Sequence, residues 1–148
     1  MIDRNAIAAR IPHQGDMCLL HAVTSWSEQE IVCQAISHKQ TANPLRADGR
    51  LGIATVIEYA AQAMAMHGAL IHNATAAPKA GLLASARDIH WYRARLDDVD
   101  LPLTIHATRL VGSEVTVLYQ FEIHAGELLA SGRISAILDS AAHAGTTL

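Results

Sequence analysis

Gly52-Ile53-Ala54-Thr55-Val56-Ile57-Glu58-Tyr59-Ala60-Ala61-Gln62-Ala63-Met64-Ala65-Met66-His67-Gly68-Ala69-Leu70-Ile71-His72 is the stretch whose reading decides the fold. Its apolar residues follow the helical repeat on several faces at once, as a helix buried on most sides requires. Glu58 and Gln62 stand one turn apart and share a face. A buried carboxylate costs free energy unless it meets a partner, a water or a substrate, so Glu58 marks a candidate site. A structural role, bonding a neighbouring backbone, is the plain alternative. The run is about as long as a bilayer is thick, but it is rich in alanine and Glu58 lies within it, which argues against a membrane span.

The rest of the chain supplies the surroundings. With 148 residues, 51% hydrophobic and 17% charged, it is sized for one domain with a real core. A net charge of -3 and the lack of basic runs exclude an electrostatic nucleic-acid or anionic-membrane binder. Charged residues within Met1–Arg10 stand where a secretory signal would be apolar, so a cytoplasmic protein is expected. Cys18 and Cys33 show no CxxC spacing and are expected to be reduced, buried and inert. Nine histidines are spread without a HExxH pattern or a nearby cysteine pair, so neither a metal nor any other cofactor is expected. His67 and His72 read as surface or core histidines, Tyr59 and Met66 as packing.

Upstream of the helix, Asp3 can cap a short helix ended by Pro12, and Met17–Thr24 and Ile31–Ile36 read as strands joined by a turn at Ser25–Gln29. Ser37–Arg50, with Asn43-Pro44 and Asp48-Gly49, reads as loop. Downstream, 73–79 is a loop, a strand runs from Leu82 to about Tyr92, and a charged turn covers Asp97, Asp98 and Asp100. Alternation at Leu103, Ile105 and Ala107, then at Val115, Val117, Tyr119, Phe121 and Ile123, predicts two strands around a turn at Gly112-Ser113. A last strand runs over Leu128–Leu138, and residues 139–148 are expected to form a flexible tail. The sum is an α+β domain in which an antiparallel sheet wraps one long central helix. Such a sheet leaves edges, and pairing with a second copy of the same sheet would protect them, so a dimer is expected.

Two segments carry a resemblance to a known family. Ile11-Pro12-His13-Gln14-Gly15-Asp16-Met17-Cys18-Leu19-Leu20 resembles the opening of the hotdog-fold 3-hydroxyacyl-[acyl-carrier-protein] dehydratases, and Gly52–Ala63 resembles their central helix with its acidic residue and following Ala-Gln pair. Asn43-Pro44-Leu45, Asp48-Gly49, Gly81-Leu82-Leu83 and Arg87 are similar to a divergent subgroup associated with aryl-polyene-type biosynthesis. The resemblance implies a hotdog fold, a dimer with acyl tunnels at the interface, and a 3-hydroxyacyl substrate delivered on the phosphopantetheine of an acyl carrier protein. It implies dehydration to the trans-2-enoyl thioester.

The family's loop histidine is absent, since the corresponding region reads Asn43-Pro44-Leu45. Either His13 supplies the imidazole or the protein no longer dehydrates. In the first case His13 is the base, Glu58 is an acid kept neutral by apolar walls, Gln62 orients it, and a backbone N–H near Gly52 holds the thioester oxygen. Asn43 either supports the substrate or bonds its own loop, and Arg87 pairs with a phosphate of the carrier arm or with a strand-surface acid. Two rivals are an acyl thioesterase, in which Glu58 activates water, and a noncatalytic partner subunit of a heterodimeric dehydratase.

Overall fold

A computed structural model describes residues 1–72 and 81–138. The expected loop at 73–79 and tail at 139–148 lie outside the described residues. Among the described residues seven strands form one antiparallel sheet: β1 (Ile2–Asp3), β2 (Ala22–Trp26), β3 (Glu30–Ala35), β4 (Gly81–Trp91), β5 (Leu103–Gly112), β6 (Thr116–His124) and β7 (Leu128–Leu138). Their spatial order is β1-β2-β3-β5-β6-β7-β4. The helices are α1 (Arg4–Ala8) and α2 (Val56–Ile71), the latter entered through a 3-10 turn at Ile53–Thr55. This is the hotdog arrangement, one long helix wrapped by a sheet.

Period-two patterning builds the concave face. Cys33, Ile105, Ile123 and Ala130 are successive cross-strand partners from β3 to β7, and all are buried. The next row runs Ile31, Ala107, Phe121, Gly132. Glycine is required there, because a Cβ at Gly132 would stand 2.3 Å from Ile89 Cδ1 and 3.2 Å from Phe121 Cε1. A bulge around Asp88, whose φ is 53°, carries Ile89 into that gap. Against these rows α2 buries Val56, Tyr59, Ala60, Ala63 and Met66.

His67, one of the histidines expected at the surface or in the core, is wholly buried, between the Tyr119 hydroxyl and the Ser27 carbonyl. Its Nε2 must donate to that carbonyl, so Nδ1 accepts from Tyr119. Burial pushes its pKa down and keeps it neutral. Burial also pushes the Cys33 thiol up to about 12, which removes its thiolate at neutral pH.

One predicted strand is wrong in its first half. Gly15–Met17 is a 3-10 turn, and strand pairing begins only near His21, whose N–H reaches the Gln34 carbonyl at 2.8 Å. Cys18, Leu19 and Leu20 are buried, as their apolar character required, but side chains rather than a neighbouring strand bind the Leu19 backbone. Hydropathy reports burial and cannot tell which partner satisfies a buried peptide group. No helix of the described residues is long and apolar enough to cross a membrane.

Candidate active site

The opening loop meets the first turn of α2. Asp3 caps α1 by accepting from the Ala6 N–H at 2.9 Å, and Ile7 and Ile11 bury themselves in the core. The chain then turns back at Pro12, and its exposed side is tied down by polar side chains. The Arg4 guanidinium donates to the carbonyls of Gly15 (2.7 Å) and Cys18 (3.1 Å), and Gln14 donates to that of Ala8 at 2.7 Å. His13 is thereby carried to Glu58: its Nε2 lies 3.0 Å from Glu58 Oε1. The two candidate residues thus meet within one chain, through a 45-residue sequence gap.

Gln62 fastens both elements. Its Oε1 accepts from the Leu19 N–H at 2.9 Å, while its Nε2 donates to the Met17 carbonyl at 2.7 Å and to Glu58 Oε1 at 3.3 Å. The wholly buried amide is therefore fully engaged with its own chain, as a supporting residue would be. Beneath it runs a chain that sequence reasoning missed. Asn43 Nδ2 donates to the Tyr59 hydroxyl (3.3 Å), which donates to Ser37 Oγ (2.8 Å), which donates to the Leu19 carbonyl (2.8 Å). The direction is fixed because Leu19 offers only an acceptor and the Asn43 amide nitrogen only donors. Tyr59 packs as expected, and its hydroxyl also joins this chain.

Asn43 is buried and spends both amide hydrogens within its own chain. Its second amide hydrogen goes to the Ser37 carbonyl and its oxygen accepts from the Leu45 N–H, so it bonds its own loop. Gly52 stands ahead of the helix. It precedes the 3-10 turn rather than α2, its carbonyl accepts from the Thr55 N–H and hydroxyl, and the next N–H, at Ile53, donates to Ala94. His38, the histidine of the 37–50 loop, is turned away, its Nε2 3.0 Å from both the Val99 and Leu101 carbonyls.

The electrostatics reverse one expectation. Glu58 is not a neutral acid: the His13 hydrogen bond, aided by Gln62, pulls its pKa below the ordinary 4.5 although burial pushes the other way. The apolar wall is incomplete in the single chain, where the His13 and Glu58 side chains are 25% and 31% exposed. Glu58 Oε1 takes both donors; Oε2 has no partner among the described residues and is not enclosed. His13 Nδ1 is buried without a partner among the described residues. A proton there would be an unpaired buried donor, which favours the tautomer whose proton sits on Nε2 and is donated in the hydrogen bond to Glu58 Oε1.

The arrangement is therefore an ionised carboxylate, steadied on one oxygen and open at the other. From Glu58 a half-buried stripe of small residues, Ala61, Ala65 and Gly68, continues along α2. A Cβ on Gly68 would meet nothing within 4 Å.

The family model for ApeP-like proteins, described as ApeP dehydratase, matches residues 5–145. Among solved structures, the dehydratase heterocomplex ApeI:P from Xenorhabdus doucetiae superposes with a TM-score of 0.81 at 21% identity, covering 99% of this chain and 97% of that one. A hypothetical thioesterase with coenzyme A from Streptococcus pneumoniae gives 0.56 at 14% identity, over 79% and 84% of the two chains. AziG of S. sahachiroi gives 0.58 at 12%, over 80% and 90%. No curated protein sequence matches the chain.

Proposed function

The chain belongs to the ApeP-like dehydratase family, and from that premise we propose that it removes water from a carrier-bound 3-hydroxyacyl thioester, with Glu58, steadied by His13, as its proton-transfer unit. The observation that carries the reading is the 3.0 Å contact between His13 Nε2 and an ionised Glu58. Glu58 Oε2 takes the C2 proton beside the thioester carbonyl. The C2–H electrons form the C2=C3 bond as the C3–O bond breaks, and the departing hydroxyl takes the proton from Glu58. The carboxylate is restored, and the products are the enoyl thioester and water. A carboxylate base of nearly ordinary pKa serves proton abstraction beside carbonyls elsewhere. His13 and Gln62 hold Oε1, so the free oxygen keeps one direction throughout.

The acyl chain is placed along Ala61, Ala65 and Gly68, the least covered side of α2, where small side chains leave room. The substrate arm is that of an acyl carrier protein. β4, eleven residues long, is a sheet edge with no neighbour on its outer side among the described residues. A second hotdog subunit paired there would close the sheet and cover this side of the helix. The same open edge favours a second reading, in which the chain completes the site of a related subunit and turns over nothing alone.

Assay of a carrier-bound 3-hydroxyacyl thioester, with the chain alone and mixed with a related hotdog subunit, tests both. Dehydration that survives unchanged in Glu58→Gln under either condition rules out the proton-transfer unit. Turnover confined to the mixture selects the partner reading, and release of free thiol instead of enoyl product selects a thioesterase.

A further inference from the structure

We propose that the outward face of β4, β6 and β7 carries a phosphate-binding site, held by Arg87 and Arg133. The two arginines are direct cross-strand partners in the β4–β7 register. Alternation places them outward: Arg133 is exposed between buried Gly132 and Ile134, and partners in an antiparallel pair share a face. Like charges set opposite each other repel. Neither guanidinium forms a hydrogen bond or ion pair among the described residues; Arg4, Arg10, Arg46, Arg93 and Arg95 do, Arg50 and Arg109 do not. Two uncompensated charges of one sign, fixed on neighbouring strands, call for an anion.

A groove of about 400 Å³ lies over them. Its polar lining adds Ser85, Ser135, Thr116 and Asp88, and its walls include Val111, Leu118 and Ile137. The Ser85 and Ser135 hydroxyls are 2.6 Å apart, so one donates to the other and a single O–H remains free. Asp88, the one carboxylate of the lining, sits at the strand bulge and pairs with neither arginine. Two planar forks and a spare hydroxyl exceed what a flat carboxylate can accept, but suit a tetrahedral oxyanion with an apolar body lying on the aliphatic wall. The site shares no residue with His13, Glu58 and Gln62 and does not rest on the dehydration reading.

Titration calorimetry on the full chain at low ionic strength, with inorganic phosphate and with phenyl phosphate, tests the site. Arg87→Gln and Arg133→Gln each weaken binding at least tenfold, and the double variant abolishes it. The double lysine variant keeps the charge, loses the paired forks and binds more weakly than wild type. Because both side chains are exposed and unpartnered, the glutamine variants unfold at the wild-type temperature or slightly above it. Binding of phenyl phosphate alone identifies an ester as ligand, and equal binding of both probes identifies the phosphate group itself. Absence of binding by either probe, binding unchanged in the double glutamine variant, or equal affinity in the double lysine variant overturns the proposal.

Discussion

Replacing Gln62 by Met, nearly the same size but without the amide, isolates what that amide does. Three hydrogen bonds disappear, to Leu19 N–H, Met17 carbonyl and Glu58 Oε1. Leu19 is 1% exposed, so its N–H becomes a buried donor without an acceptor, which costs about 1–3 kcal/mol. The Met17 carbonyl is only partly buried and can recruit water, which places its loss near 1 kcal/mol. The long bond to Glu58 adds little to stability. The sum, about 2–4 kcal/mol, is a large share of the roughly 5–15 kcal/mol that holds a domain together. Urea titration with a shared slope should show it as a lower midpoint. Thermal unfolding should show a fall of roughly 5–15 °C. A loss below about 0.5 kcal/mol would refute the claim that this amide fastens the opening loop, since surface changes alone reach that size.

Other substitutions test separate parts of the structure. Gly132→Ala forces Ile89 or Phe121 to move, and should destabilise the chain by about 1–3 kcal/mol in the same titration. Gly68→Ala fills open space within α2 and should stabilise by roughly 0.5–1 kcal/mol; a loss would show the helix face to be tighter than it is here. Ala65→Leu narrows the stripe leading from Glu58, and should lower kcat/KM for long acyl chains more than for short ones. His13→Ala removes the largest influence that holds the Glu58 carboxyl low and leaves the burial that raises it. The acid limb of the pH–rate profile therefore moves to higher pH, and a limb that stays in place disproves the coupling.

Much of the fold was legible because two periods were written plainly in the chain. The α2 repeat named one helix buried on nearly every side, and alternation at Leu103, Ile105 and Ala107 named the inward row of β5. The error at Cys18–Leu20 had a single cause. Those residues are as apolar as a central strand, but their peptide groups bind Gln62 and Ser37, contacts separated by 43 and 18 residues. A local pattern holds no record of such partners. The Ser37–Tyr59–Asn43 chain escaped for the same reason, although a tyrosine on the buried side of a helix always carries a hydroxyl in need of a partner.

For the site, position was legible and charge state was not. Helical spacing placed Gln62 beside Glu58, and the resemblance of residues 11–20 to the family's opening segment singled out His13, but burial alone predicted a carboxyl pushed up and neutral. The ring nitrogen at 3.0 Å and the amide at 3.3 Å outweigh burial, and the pKa goes down. The sign has a consequence for folding. A carboxyl whose folded pKa lies below its unfolded one stabilises the chain fully above about 4.5, and loses that contribution as pH falls through the folded value. Acid should thus loosen the opening loop from α2, releasing His13 from its only hydrogen-bond partner among the described residues. In Glu58→Gln, which has no such titration, that part of the acid destabilisation disappears. If wild type and variant lose stability in parallel between pH 5 and 3, on the order of the window in which carboxylates titrate, Glu58 is not held ionised by His13.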